Sequence, residues 1–195
     1  MAPRPRPVQT KRAAKRQPSA VTEARSEDER RLYERLDALG IAHRTVEHAA
    51  THTVAQSATV KAHLAGGHAK TLLVADKHAP RLIVAEASVR VDLAGVGRRL
   101  GCYGRLSFAS EGVLTATLGL RPGAVTPFGL MHEGAARIGN VVIDEGLTGY
   151  DAIWLHPLRN TASTQIAPDD LLRFCAACGH EAVVMPVAKA NDGTS

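Results

Sequence analysis

Residues 71–85 read TLLVADKHAPRLIVA: two apolar runs, Thr71–Ala75 and Leu82–Ala85, flank a polar turn through Asp76–Pro80. Short apolar runs bounded by turn residues are the sequence mark of a β-hairpin. Upstream, Leu32, Leu36 and Leu39 recur at helical spacing, which predicts a helix over Glu27–Leu39 stopped by Gly40. Ile41–Glu47 reads as a strand. Thr53-Val54-Ala55-Gln56 fits a capping box opening a helix to Leu64, ended by Gly66-Gly67. Downstream, Asp92 can cap a helix to Leu100 and Ser110 another to Leu118, each followed by glycine. Arg121–Phe128 reads as a loop. Ile138–Ile143, Ala152–Leu155, Ala162–Ile166 and Ala182–Val187 read as strands, and Pro168 starts a helix ending at Gly179. Strands and helices do not alternate strictly, so the expected class is α+β: one domain with a mixed sheet and peripheral helices.

The 195 residues, 45% hydrophobic and 22% charged, suit one globular domain. Its expected limits are 26–188, with a disordered basic leader over 1–25 and a frayed tail over 189–195. No stretch approaches the ~18 apolar residues of a membrane span. The Arg-rich start has no apolar signal core, so a cytoplasmic protein is expected. Residues 1–22 hold six cations and no acid; without them, 18 cations face 19 acids, a formal −1. The basic character therefore lies in the leader, either to hold a polyanion or as a solvated segment.

Three cysteines make no disulfide framework. Cys175 and Cys178 match C-x-x-C, but in the last turn of a helix, where the dipole does not favour a thiolate. They read as small core residues. The nine histidines show no ligand spacing, so neither a metal nor a cofactor is expected. A phosphate-cradling loop ending in Lys-Ser/Thr, a G-x-S-x-G elbow and an H-E-x-x-H pair are all absent from the sequence.

Three segments remain. Lys70, in GGHAK, stands at the expected mouth of a strand: a solvated lysine or a well-supported site lysine. The segment from Gly123 to Gly129 is a turn, or a rigid loop aiming backbone N–H groups at a carbonyl. His156 follows an apolar strand, as a packed histidine or a site residue. GGHAK (66–70), GRLSFAS (104–110), PGAVTPFG (122–129) and HPLRNTASTQIAP (156–168), in this order, resemble the YbaK/prolyl-tRNA-synthetase-associated aminoacyl-tRNA editing domains, most closely the freestanding ProXp-ala or PrdX type. The resemblance covers Glu27–Val187. It implies a barrel-like sheet, no metal, and hydrolysis of the ester of mischarged tRNA, with Ala-tRNA(Pro) the leading substrate. The implied partner is the tRNA(Pro) acceptor end, with prolyl-tRNA synthetase a further candidate and no membrane or DNA role.

Carried over by position, the implied catalytic residues are Lys70 and Gly123. Thr71, Thr126, Pro127, Phe128, His156 and Asn160 are the implied substrate-binding set. Two departures stand out: Thr71 replaces a frequent Asn, and Thr51-His52-Thr53 replaces a Phe/Thr segment of the pocket. Other readings are a non-catalytic tRNA- or synthetase-binding module, an editing enzyme for Cys-, Ser- or Thr-charged tRNA, and a thiol oxidoreductase.

If the leader contacts phosphates, its effect is on affinity, because such contact tolerates disorder and weakens with salt. Deleting residues 1–22 is expected to leave the saturated single-turnover rate unchanged and to flatten the salt dependence of tRNA binding. Identical binding curves at every salt concentration would leave the leader without a role in binding.

Overall fold

The computed structural model describes residues 26–49 and 64–189. The expected capping box at Thr53–Gln56 and its helix lie outside these residues, as do the leader and the end of the tail. Helix α1 spans Glu27–Ala38 and buries Leu32 and Leu36. Its N-cap, Ser26, accepts a hydrogen bond from the Glu29 N–H at 3.2 Å, satisfying an otherwise unpaired donor. The strand that follows is shorter than expected. Ile41 N–H still bonds to Leu36 O at 2.9 Å, so the helix exit consumes Ile41 and β1 spans Arg44–Glu47.

The hairpin is present as β2 (Gly67–Ala75) and β3 (Pro80–Glu86), antiparallel from Ala69 opposite Glu86 to Ala75 opposite Pro80. Alternation along β3 sends Leu82 and Val84 into one apolar cluster and Ile83 and Ala85 into another. The uninterrupted apolar run thus reflects a strand buried on both faces. Asp76 closes the turn: Oδ1 accepts from the N–H groups of His78 and Ala79 at 2.9 and 3.0 Å. Its Oδ2 accepts from Tyr103 N–H at 2.9 Å, and Arg81 lies 3.0 Å from Oδ1. These hydrogen bonds, that from the Ala79 N–H first and that from Arg81 next, hold the Asp76 carboxyl well below its ordinary pKa.

Then come α2 (Leu93–Arg99), β4 (Ser107–Phe108), α3 (Glu111–Leu118), β5 (Asn140–Asp144), β6 (Ile153–Leu155), β7 (Ala162–Ile166), α4 (Pro168–Ala177) and β8 (Ala182–Met185). Asp92 precedes α2 but makes no side-chain cap, whereas Ser110 caps α3 through the Val113 N–H at 3.4 Å. The loop expected after α3 ends in a 3₁₀-helix, Pro127–Met131, followed by another over Glu133–Arg137. Because Ile138 N–H still closes onto Ala135 O at 2.8 Å, β5 starts at Asn140.

Strand order is β1-β7-β6-β2-β3-β5-β8, with β4 paired to β2. Parallel pairs (β2–β6, β3–β5, β5–β8) and antiparallel pairs make the sheet mixed, as expected, and it is an open path with β1 and β8 at its ends. The larger cluster packs α1, α3, α4 and the 3₁₀ segment on one face, and the smaller packs α2 on the other. Phe128 and Phe174 meet edge to face at 5.2 Å in the larger cluster, both fully buried. Phe174→Ala is expected to lower the unfolding free energy by about 3–5 kcal/mol, through lost transfer energy and the cavity left. Denaturant melts of the two proteins measure this.

Candidate functional site

Lys70 lies inside β2 and not at its mouth, because the strand starts at Gly67, four residues before the apolar run at Thr71. Gly67 and His68 pair in parallel with Ile153 and Trp154 of β6. Two glycines permit that close approach. Gly66 has φ +114°, and a Cβ there would fall 2.7 Å from Ala152 O; one on Gly67 would fall 2.5 Å from the Tyr150 ring. Alternation places Lys70 on the face of Leu72 and Val74, and Thr71 on the face of Leu73. The half-buried Lys70 ammonium donates to the carbonyls of Ala87, at 3.2 Å, and Val89. These bonds fix its position just beyond the end of β3. His156 stands two residues past Trp154, as Lys70 stands two past His68, so both leave the same β2–β6 rung.

The second segment is a tight turn. Gly123 has φ +87°, a conformation that favours glycine. Ala124 N–H bonds to Arg121 O at 3.2 Å, and among the described residues the N–H groups of Gly123 and Val125 have no hydrogen-bond partner. Thr126 is buried and caps the 3₁₀-helix, its Oγ1 accepting from Phe128 N–H at 3.4 Å. Pro127 occupies the first turn of that helix. Thr126, Pro127 and Phe128 are thus enclosed in the protein, and their contacts hold the loop backbone.

In the third segment His156 Nδ1 lies 3.2 Å from Ala162 O. A carbonyl can only accept, so Nδ1 carries a proton and donates to it. Leu158 has φ 67°, unusual for a residue other than glycine. Asn160 Nδ2 lies 3.8 Å from where a Cβ on Gly123 would stand. The fold therefore brings the Asn160 side chain near Gly123 and relates Lys70 to His156 through β2 and β6.

Arg159, for which the sequence pattern suggests no role, holds Glu29 and Glu47 together with paired hydrogen bonds to each. One local signal for Glu29 existed: Ser26-x-x-Glu29 is a capping-box pattern. In the folded chain the Glu29 carboxylate instead points inward to Arg159 and Tyr33. A groove of about 1320 Å³ runs between α1, the 3₁₀ segments and the end of α4. Phe128 and Leu158 line it, but Lys70, Gly123, His156 and Asn160 do not, so it is separate from these residues.

The cysteines are poor nucleophiles. Burial, then Cys178 nearby, pushes the Cys175 thiol up to about 12. Burial also raises Cys178 against the opposing effect of Arg35. Thiolate chemistry at neutral pH is therefore disfavoured.

The fold is that of a known class. A structure described as a candidate trans-editing enzyme for prolyl tRNA synthetase superposes with a TM-score of 0.68 at 24% identity, covering 86% of this chain and 100% of the other. A second, of the hypothetical protein APE2540, gives 0.66 at 22% identity, covering 81% and 99%. A family model described as "Aminoacyl-tRNA editing domain" matches residues 48–174, and the chain belongs to that family. The prolyl-tRNA synthetase associated domain-containing protein 1 of Mus musculus is 30% identical, over 83% of this chain and 98% of its own length. The prolyl-tRNA editing protein ProX of Acetoanaerobium sticklandii is also 30% identical, over 75% and 89%. The family's members are aminoacyl-tRNA deacylases, hydrolases whose macromolecular partner is charged tRNA.

The raised Cys175 thiol has a consequence for stability. The folded state keeps this proton where the unfolded thiol, near 9, has lost it. Its contribution to stability is present in full below about 9 and is lost as pH rises toward about 12. Replacing it in Cys175→Ala should flatten this alkaline limb of the stability curve in melts between those limits. An unchanged limb would show that the thiol is not protected by burial.

Proposed function

We propose that this protein is a trans-editing deacylase that hydrolyses the ester of mischarged tRNA, with Ala-tRNA(Pro) its main substrate, in the cytoplasm. The observation that carries this reading is the nearness of Asn160 to the Gly123 turn, beside two backbone N–H groups that have no hydrogen-bond partner among the described residues. Family membership and the likeness to a prolyl-tRNA editing protein support it.

A site built for proline cannot exclude alanine sterically, since each missing methylene is worth only ~1–3 kcal/mol of discrimination. A second site that admits small side chains removes the error. An aminoacyl ester is already activated, so this site needs a tight pocket, a water and an oxyanion stabiliser more than a strong nucleophile. In our reading, Gly123 and Val125 N–H groups face the developing oxyanion, a contact typically worth ~2.7–4 kcal/mol. The Lys70 ammonium holds the terminal adenosine's phosphate or the ester oxygen. It does not hold the substrate's α-ammonium, since like charges repel. His156 and Asn160 shape the pocket by hydrogen bonding, Thr71 lies on the adjoining strand, and Thr126, Pro127 and Phe128 set the loop. A neighbouring ribose hydroxyl of the tRNA helps orient the water.

The test is deacylation of Ala-, Cys-, Ser- and Pro-charged tRNA(Pro) by the wild type and by Lys70→Ala and Lys70→Met. Preferential hydrolysis of Ala-tRNA(Pro) is expected, with loss of activity in both variants while circular dichroism shows the fold unchanged. Near-normal turnover by a folded variant would remove Lys70 from the chemistry. Binding of tRNA by the wild type without hydrolysis would make the protein a non-catalytic module.

A further inference from the structure

Arg159 lies three residues after His156 and one before Asn160. Its Nε and Nη2 donate to Glu29 at 2.9 and 3.1 Å, and its Nη1 and Nη2 to Glu47 at 2.8 and 2.6 Å. Nη1 also donates to Thr161 Oγ1 at 2.6 Å. One planar guanidinium thus joins α1, β1 and the segment leading into β7, a geometry that lysine cannot copy. Glu29 is 1% exposed in its side chain, so breaking this contact would strand a buried carboxylate. The anchor continues beneath it. Tyr33 donates to Glu29 at 3.1 Å, Thr45 donates to Tyr33 at 3.0 Å, and Thr45 and Thr164 hydroxyls lie 2.8 Å apart. Glu47 first, and then Glu29, raise the Arg159 pKa, which keeps the clamp charged.

A brace this extensive sits beside the least relaxed backbone of the segment. Leu158, the residue before Arg159, is the only positive-φ residue other than glycine among the described residues, and such conformations persist where their surroundings hold them. On either side stand the groups that the editing site would use. His156 is held to Ala162, and Asn160 faces Gly123.

We propose that Arg159 is a positioning residue: pinned by Glu29 and Glu47, it holds the left-handed turn at Leu158 and so keeps His156 and Asn160 in register with the Gly123 turn. This rests on the editing function proposed above. A purely structural brace would act on the amount of folded protein and not on the rate per folded molecule.

The experiment compares full-length wild type with Arg159→Lys and Glu47→Gln. Arg159→Lys keeps the charge but loses the fork. Glu47 is 63% exposed in its side chain, so Glu47→Gln weakens one arm with little threat to folding. Single-turnover deacylation is measured per folded molecule, and hydrogen exchange is followed at the amides of 156–161. For Arg159→Lys the saturated rate should fall on the order of 10–100-fold, as expected for a small misplacement of reacting groups. The half-saturating concentration should change little, and exchange should quicken at 156–161 but not in the β2–β3 hairpin. Glu47→Gln should show the same pattern in weaker form. Wild-type rates per folded molecule with unchanged exchange in Arg159→Lys would overturn the proposal. A wild type inactive on every charged tRNA would instead overturn the editing reading, and the catalytic consequence of Arg159 with it.

Discussion

The structure hangs on β2, a strand that three others must share. It pairs antiparallel with β3 over most of its length, parallel with β6 at its start, and with β4 at its end. Both of its faces are covered, since Leu73 belongs to the larger apolar cluster and Val74 to the smaller. A strand in this position tolerates neither a register slip nor a bulky residue where β6 comes close. A slip of one residue would exchange the two faces. That constraint also makes it a sound support for Lys70, whose neighbours along the strand are packed and whose ammonium is tied to the carbonyls beyond β3.

The rest of the candidate site stands on segments without regular pairing, where rigidity has to be supplied by side chains. The Gly123 turn is secured from below by the buried Thr126 cap and by Phe128 against Phe174. The His156–Asn160 turn is secured from the side by Arg159 and its two carboxylates. Buried polar groups are costly unless satisfied, and the Glu29–Tyr33–Thr45–Thr164 cluster meets that condition through mutual hydrogen bonds. The outcome is a set of polar groups and backbone donors held in place before any ligand arrives. Hydrolysis of an activated ester has more use for such preorganisation than for a reactive nucleophile. The protonated, buried cysteines fit the same division, since they contribute to packing at the end of α4.

Much of this was legible in the sequence for local reasons. The helix from Glu27, the Ser110 cap, the β2–β3 hairpin and the Ala162–Ile166 strand follow from periodicity, capping and turn chemistry acting over a few residues. The departures from local pattern have two sources, a distant strand partner and the exit of a helix. β2 starts early because β6 pairs with it, and β1 starts late because the exit of α1 takes up Ile41. The two-residue strand β4 exists only because β2 has an edge to offer at Val74 and Ala75. The role of Arg159 is invisible in the sequence, since Glu29 and Glu47 are more than a hundred residues away in the chain.

The sequence by itself determined the fold class, the hairpin at the centre of the sheet, the family, and the order of the segments that carry Lys70, Gly123 and His156. These depend on residue type and near-neighbour spacing, which the covalent chain expresses directly. The tertiary structure alone decided that Asn160 stands against Gly123, that Phe128 turns into the core, and that Lys70 is held by the carbonyls of Ala87 and Val89. It also decided that one arginine gathers two distant carboxylates around the turn at Leu158. Such contacts form only once the sheet has closed the loops between them, because burial, and not spacing along the chain, selects which polar groups must find each other.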